Sequence, residues 1–227
     1  MVTETVSPRI VPLEPPYAPE VGALLRKMMP EGVPPIGLFR TFARNMPMTE
    51  AMTEWGGYEL SRRLSLSMRD REIVIDRTCA RCGCEYEWGV HVAFFAERVG
   101  LDANQTASLT HGSAEDSCWV DERDRLLIRA VDVLHDHSEI DDGLWRELSS
   151  IFSDANLLDL LLLCGWYHAI SFVARGTQVP LEADAPTFSD YSPGLEEGKR
   201  ARAGECDHIA SNDLVDDRGQ ILSPGSH

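Results

Sequence analysis

The chain has 227 residues, of which 43% are hydrophobic, so it can form the core of one good-sized globular domain. Its net charge is −16 at pH 7, whereas nucleic acids and anionic membranes are bound by basic surfaces, so neither is expected as its main partner. The six cysteines are too few and too clustered for a disulfide scaffold. The opening residues have neither the basic start nor the apolar run of a secretion signal, and a cytoplasmic location is therefore expected.

The distribution of proline predicts a helical body. Nine of the 13 prolines lie in residues 8–47, and none occurs from 48 to 179. Because proline is excluded from helix interiors, the expected fold class is all-α. Hydrophobic spacing and stop signals predict helices, in chain order, within 20–29, 37–45, 49–66, 68–82, 85–100, 121–137, 141–152 and 154–176.

The last predicted helix, 154–176, is apolar on nearly every side, which is typical of a helix buried in a bundle or in a subunit interface. Asp159 and His168 interrupt its apolar run, so a membrane span is not expected. The stretch 182–217 carries ten acidic and three basic residues and is expected to be loosely packed. The predicted organisation is a proline-rich arm (1–34), a helical domain (35–182) and an acidic, loosely ordered tail (183–227).

Residues 79–91, CARCGCEYEWGVH, hold the densest group of reactive side chains. Cys79, Cys82, Cys84 and His91 supply four candidate zinc ligands, but strong zinc signatures use two separated ligand pairs. A helix that begins near residue 85 would also keep Cys84 and His91 two turns apart. The sequence therefore predicts no metal, and no cofactor is expected.

Thiol chemistry is a second interpretation of the same residues. Cys79-x-x-Cys82 is formally a redox pair, and Cys84 precedes a predicted helix, whose N-terminus lowers a thiol pKa. The acidic neighbours Glu85 and Glu87 would raise that thiol pKa instead. A redox role that uses Cys82 stays open at this point.

Acid–base chemistry is a third interpretation. Glu87 and His91 are four residues apart, so on a helix they share a face with position 84. A carboxylate beside an imidazole fixes the ring tautomer and raises its basicity, which suits a general acid or base. An exposed Glu–His pair without function is the competing interpretation. A buried helix, and hence a functional pair, is favoured by apolar neighbours, namely Val90, Val92, Phe94 and Phe95.

The stretch RDREIVIDRTCARCGCEYEWGVHVAFFAERVGL (69–101) resembles the carboxymuconolactone decarboxylase family, which shares its fold with alkylhydroperoxidase D. The shared pattern is Arg-Glu, a helix, Cys/Ser-x-Tyr-Glu-Trp-x-x-His and a Gly-Leu stop. The segment from 122, with Gly-x-Tyr-His on the last helix, resembles the C-terminal half of the family, so the resemblance covers residues 35–182. It implies an all-α, alkylhydroperoxidase D-like bundle of one domain that forms a homo-oligomer, a trimer or hexamer, through the apolar 157–173 helix.

The peroxidase branch of this superfamily has the pattern Glu-x11-Cys-x2-Cys-x3-His. Glu72, Cys84 and His91 match it in register, but Glu87 stands where the peroxidatic cysteine would be. The resemblance therefore favours the cofactor-free, decarboxylase-like side: a lyase or proton-transfer enzyme acting on a small anionic unsaturated acid or lactone. The alternatives are a thiol peroxidase or disulfide reductase that uses Cys84 with Cys82 or Cys79, and a helical oligomer without catalytic activity.

The resemblance also suggests roles for individual residues. His91 would be the acid or base, oriented by Glu87 or Glu72, and Cys84 would be a small residue of the site. Arg71 would bind a substrate carboxylate, although an ordinary ion pair also explains an arginine there. Candidate residues for lining the substrate pocket, each of which also suits core packing, are Tyr86, Trp88 and His168.

Overall fold

A computed structural model describes residues 7–192, whose regular structure is helical throughout. Two short 3-10 turns, Glu97–Val99 and Phe188–Tyr191, accompany the α-helices. The helices are α1 (Pro19–Met28), α2 (Gly37–Phe42), α3 (Met46–Glu59), α4 (Met68–Arg81), α5 (Glu85–Phe95), α6 (Ala103–His111), α7 (Glu122–His137), α8 (Asp142–Ile151) and α9 (Asp154–Thr177).

The chain divides into two compact units, the first of which comprises residues 7–64 and 176–182 of the described part. Its helices are α1, α2 and α3. The side chain of Asn45 caps α3 by accepting a hydrogen bond from the backbone N–H of Met48. The apolar core of this unit is formed by Val21, Leu25 and Ala43, with Leu13, Tyr17, Phe39 and Met46 packed against them.

The second unit comprises residues 65–175 and 183–192 of the described part, and α4 is its central helix. This helix packs against α5, α6 and α7. It begins with a capping box in which Ser67 and Asp70 exchange hydrogen bonds between side chain and backbone. All ten residues from 70 to 79 are buried, so α4 meets protein on every side.

Two bidentate ion pairs connect buried charged residues of α4 to α7. Arg77 forms a two-pronged contact with Asp132, at 2.7 and 2.8 Å. Asp70 receives the same kind of contact from Arg123, at 2.9 and 2.8 Å. Paired donors and acceptors of this geometry offset the cost of removing the charges from water. The ion pairs therefore fix the register of α4 along α7.

The turn between α4 and α5 is a Schellman motif. Gly83 adopts a positive φ of 64°, a conformation that L side chains rarely adopt. Its N–H donates to the carbonyl of Ala80, and the N–H of Cys84 donates to the carbonyl of Cys79 at 2.8 Å. The predicted helix 85–100 begins at once after this turn but ends at Phe95, and the 3-10 turn that follows stops at Gly100, with a φ of 67°.

Several other predicted bounds differ from the observed helices. The helix predicted within 49–66 begins earlier, at Met46, and continues through its two glycines to Glu59. Helix α6 was not predicted, since its sequence ANQTASLTH has little apolar periodicity; a capping box at Asp102 starts it. The predicted division into domains 1–34, 35–182 and 183–227 stays a prediction, and residues 193–227 of its tail lie outside the described residues.

Helix α9 combines a buried body with an exposed apolar stripe. Asp159 near its start accepts hydrogen bonds from the N–H and the hydroxyl of Ser65, at 2.7 and 2.6 Å. By length and composition α9 could cross a membrane, but 56% of its most apolar window is buried within the structure, as in the core helix of a folded domain. The exposed stripe consists of Leu158, Leu162, Gly165, Ala169 and Phe172.

One glycine of α5 permits a close approach by the segment that follows α9. A Cβ atom on Gly89 would lie 2.5 Å from the backbone oxygen of Pro186. We expect Gly89→Ala to displace this segment, which also packs Phe188 and Tyr191 edge-on against Trp88 at 5.1 and 5.5 Å between ring centroids. The free energy of unfolding should fall by about 1–3 kcal/mol, as in other overpacked sites. Urea unfolding measures the loss, and limited proteolysis reports release of the segment.

The matched control is Gly57→Ala in α3, where an added Cβ meets no atom within 4 Å. This substitution should raise the unfolding free energy by about 0.5–1 kcal/mol, since alanine loses less conformational entropy than glycine in a helix. Equal effects of the two substitutions would contradict the close approach at Gly89.

Candidate functional site

The faces that α4 and α5 turn toward each other carry a cluster of buried polar and thiol side chains. On α4 the positions follow the helical spacing i, i+4, i+7, and on α5 they follow i, i+3, i+7. The two sets are Glu72, Asp76 and Cys79 on α4, and Cys84, Glu87 and His91 on α5, all of them buried.

The imidazole of His91 is the centre of this cluster. Its Nδ1 lies 2.8 Å from Oε2 of Glu72. Its Nε2 lies 3.0 Å from the hydroxyl of Tyr167 on α9 and 3.6 Å from Oε1 of Glu87. Only 4% of the residue is exposed. Both ring nitrogens are therefore held by polar partners from three different helices.

Opposite charges within the cluster stabilise each other's ionised forms. Burial disfavours the Glu72 carboxylate, but Arg71, at 2.6 Å, and His91 outweigh this effect and lower the pKa of Glu72. Burial likewise disfavours the His91 imidazolium, but Glu72 and Glu87 raise the pKa of His91 to about 10. At neutral pH His91 is thus a cation that carries protons on both ring nitrogens.

Two carboxyl groups of the cluster have oxygens without a hydrogen-bond partner among the described residues. Both oxygens of Asp76 and Oε2 of Glu87 are buried in this way. Burial, and then the charge of Glu72, raise the pKa of Asp76 well above its usual range. Asp76 therefore favours the protonated acid, and unpaired oxygens in such a site are costly to the fold.

The three clustered cysteines are poor nucleophiles. Cys84 occupies the N-cap position of α5, where a thiolate is favoured, but burial raises its pKa to about 11. Burial also raises the pKa of Cys79 and of Cys82. At neutral pH all three are protonated thiols. Free cysteines in the described part of the chain are Cys79, Cys82, Cys84, Cys118 and Cys164.

The other predicted residues of this site are engaged within the protein. Arg71 is buried, pairs with Glu72 and places its guanidinium over the ring of Phe95 at 5.1 Å. Tyr86 is buried as well, and Trp88 is fully enclosed. The predicted roles of Arg71, Tyr86 and Trp88 in binding a substrate stay predictions.

His168 lies in a second cluster. Its Nε2 is 3.0 Å from Nδ1 of His135 on α7, and Cys82 Sγ is 3.9 Å from the same Nδ1. Burial, followed by the charge of His168, lowers the pKa of His135, so that ring is neutral at pH 7. The three residues line a cavity of about 910 Å³, and His91 is not among its lining residues.

Sequence reasoning missed three members of the two clusters. Tyr167 is the residue before His168 in the Gly-x-Tyr-His motif, and it is the tyrosine that contacts His91. Asp76 follows Glu72 by one helical turn, a spacing that places it on the same face. His135 had no local signal, because its partners lie 53 and 33 residues away in the sequence.

Because Asp76 favours the protonated acid, replacing it with the neutral asparagine should stabilise the protein at neutral pH. Asp76→Asn keeps the shape but needs no proton, so we expect its thermal midpoint at pH 7 to exceed that of the wild type by more than about 2 °C, the shift that roughly 1 kcal/mol produces in a chain of this size. A raised folded-state pKa makes the wild type lose stability as pH rises above about 4, where the unfolded aspartate ionises. The gain should therefore shrink at pH 4. Thermal unfolding followed by circular dichroism at both pH values tests this, and equal midpoint differences would contradict it.

The chain shows similarity to known proteins in both sequence and fold. Residues 47–128 match the Carboxymuconolactone decarboxylase family. No curated protein matches the chain. A crystal structure of an uncharacterized peroxidase-related protein from Silicibacter sp. TM1040 superposes with a TM-score of 0.70 over 85% of this chain and 100% of that chain, at 18% identity, a likeness that shows the fold alone. The match of residues 47–128 to this family confirms the resemblance drawn from residues 69–101, and the all-α, alkylhydroperoxidase D-like fold is confirmed as well.

Proposed function

We propose that this protein is a cofactor-independent lyase or proton-transfer enzyme that acts on a small anionic unsaturated acid or lactone, with His91 as the proton donor. The observation that carries the proposal is the buried imidazole ring of His91, whose Nδ1 is fixed by Glu72 while Nε2 faces Glu87 and Tyr167. The match of residues 47–128 to the carboxymuconolactone decarboxylase family agrees with a decarboxylase-like reaction.

The chemistry needs only a positioned proton and a cationic environment. As the bond to the substrate carboxylate breaks, carbon dioxide leaves and the electron pair passes into the unsaturated system as an enolate. The imidazolium stabilises this developing negative charge and then transfers the Nε2 proton to carbon. The neutral ring recovers its proton from solvent. Throughout, Glu72 holds Nδ1–H, so the ring keeps its orientation while it gains and loses charge.

Two observations favour this function over a thiol peroxidase. A glutamate stands at position 87, where the peroxidase pattern has its peroxidatic cysteine. The thiol at position 84 is fully buried, and its pKa is raised to about 11. A thiol attacks a peroxide as the thiolate, which is scarce under these conditions.

We also propose that the protein forms a homo-oligomer through α9. Leu158, Leu162 and Phe172 expose 62%, 50% and 71% of their surface and lie on one face of that helix. Gly165 and Ala169 lie between them, and such small residues allow a second helix to approach closely. A row of large apolar side chains in water is costly, so covering it by another subunit is favourable.

Activity measurements on His91 variants test the proposed reaction. In a screen of unsaturated acids and lactones followed by release of carbon dioxide, His91→Gln should reduce kcat/KM by about 10²–10⁴-fold, the usual contribution of a positioned acid. Cys84→Ser is the control and should retain most of the activity. Since the acid form of His91 is required, wild-type kcat/KM should fall as pH rises through about 10, the pKa to which Glu72 and Glu87 raise His91 against the effect of burial. The other ionisable groups around this site are Arg71, Asp76 and Tyr167.

Circular dichroism at each pH separates loss of activity from unfolding. The proposal fails if His91→Gln retains wild-type turnover. It also fails if the protein reduces organic hydroperoxides in a reaction that Cys84→Ser abolishes and Glu87→Gln leaves intact.

The oligomer is tested by placing a charge on the exposed stripe. Leu162→Glu should shift the protein toward the monomer in size-exclusion chromatography with light scattering, because it would bury an unpaired carboxylate in the interface. Val120→Glu, at a loop residue that is 91% exposed, is the matched control and should leave the mass unchanged. A wild-type protein that is monomeric at micromolar concentration would refute self-association.

A further inference from the structure

The second cluster, Cys82, His135 and His168, has the composition of a metal site. Within the described residues it is the group of histidine, cysteine or acidic side chains whose ligand atoms all lie within 4.8 Å of one another. Cys82 follows the last residue of α4, whereas His135 and His168 lie on α7 and α9. We propose that this Cys-His-His cluster binds a zinc ion. The inference does not depend on the function proposed for His91.

The distances are close to those of a tetrahedral zinc site. With Zn–S of about 2.3 Å and Zn–N of about 2.0–2.1 Å, two nitrogens of such a site lie about 3.3 Å apart, and sulfur and nitrogen about 3.5 Å apart. In the structure His135 Nδ1 and His168 Nε2 are separated by 3.0 Å, and Cys82 Sγ and His135 Nδ1 by 3.9 Å. His135 Nδ1 is thus within a few tenths of an ångström of the expected separation from each of the other two ligand atoms, and all three atoms lie within 4.8 Å of one another.

One ligand is already oriented for a metal. His168 Nδ1 lies 2.8 Å from the carbonyl oxygen of Cys164, which can only accept a hydrogen bond. The proton of His168 is therefore on Nδ1, and the lone pair of Nε2 faces the cluster. A histidine that donates its other N–H to a carbonyl in this way is the usual arrangement around bound metals.

The protons of the other two ligands can leave or move without disturbing the fold. In the absence of an ion, His135 Nδ1–H donates to His168 Nε2. With zinc bound, Nδ1 of His135 coordinates and its proton moves to Nε2. The Cys82 thiol releases its proton to solvent and binds as the thiolate. The guanidinium of Arg175 donates to the Cys82 carbonyl at 2.6 Å and places positive charge beside that thiolate.

Three protein ligands leave a fourth position, which is the pattern of zinc sites that bind a water or a substrate. Here that position is next to the cavity of about 910 Å³, whose wall includes Arg81 and Arg175. Arg81 is paired with Asp136 on α7, so the guanidinium of Arg175 is the positive charge that suits a small anion as the fourth ligand. Nitrogen and sulfur donors favour zinc over magnesium or calcium, and the described residues that line the cavity include no methionine of the kind that completes a blue-copper site.

Zinc binding to the purified full-length chain tests the proposal. After exposure to zinc chloride and dialysis, elemental analysis should find one zinc per chain, and cobalt(II) should give a thiolate-to-metal charge-transfer band. Cys82→Ser should abolish that band, and competition with a chromophoric chelator should show that Cys82→Ser and His168→Ala each weaken zinc binding by more than about 100-fold, the upper end of the loss caused by removing a group that only orients a ligand.

Two controls separate this site from its surroundings. Cys84→Ser changes the neighbouring thiol and should bind zinc as the wild type does; His91→Gln changes the other buried histidine and should do the same under conditions in which its circular dichroism spectrum matches that of the wild type. Cys82→Ser is nearly isosteric, so its circular dichroism spectrum should match that of the wild type. Less than 0.1 zinc per chain, copper or iron retained in place of zinc, or a cobalt band that survives in Cys82→Ser would each overturn the proposal.

Discussion

The contact between Glu72 and His91 is the interaction on which the second unit depends. Both side chains are buried, and the carboxylate and imidazolium are joined at 2.8 Å. Removing two charges from water is expensive, and Arg71 on one side and Glu87 on the other complete the compensation. Loss of one partner would leave an uncompensated buried charge, at a cost of about 3–5 kcal/mol. Helices α4 and α5 must therefore keep one relative position.

The turn that joins these two helices separates the cysteines into two environments. Gly83, with its positive φ, reverses the chain between Cys82 and Cys84. Cys84 and Cys79 lie beside Glu87, whose charge contributes to the high pKa of both thiols. Cys82, on the other side of the turn, instead places its Sγ 3.9 Å from Nδ1 of His135. Cysteines that look like one motif in the sequence thus belong to two different sites.

Local spacing and the family pattern are sufficient to predict the residues that α4 and α5 contribute to the His91 cluster. The sequence predicts Glu72, Cys84, Glu87 and His91 as one group, and the structure brings them together. The residues of each helix lie on one face, and the turn at Gly83 holds the two faces against each other. Tyr167 and His135 reach these clusters from helices far along the chain, so no spacing rule within α4 or α5 could identify them. For the same reason no metal was predicted: every ligand considered lay within 79–91, whereas two members of the Cys-His-His cluster lie on α7 and α9.

Helix α9 is apolar on nearly every side, yet it contributes polar side chains to both clusters. Successive residues of an α-helix point about 100° apart. Tyr167 therefore reaches His91, while His168 reaches His135. A third face carries the exposed Leu158, Leu162 and Phe172, and Phe172 also lines the cavity beside the Cys-His-His cluster. A subunit that covers this stripe would border the cavity, so self-association would control what reaches the zinc proposed there without touching His91.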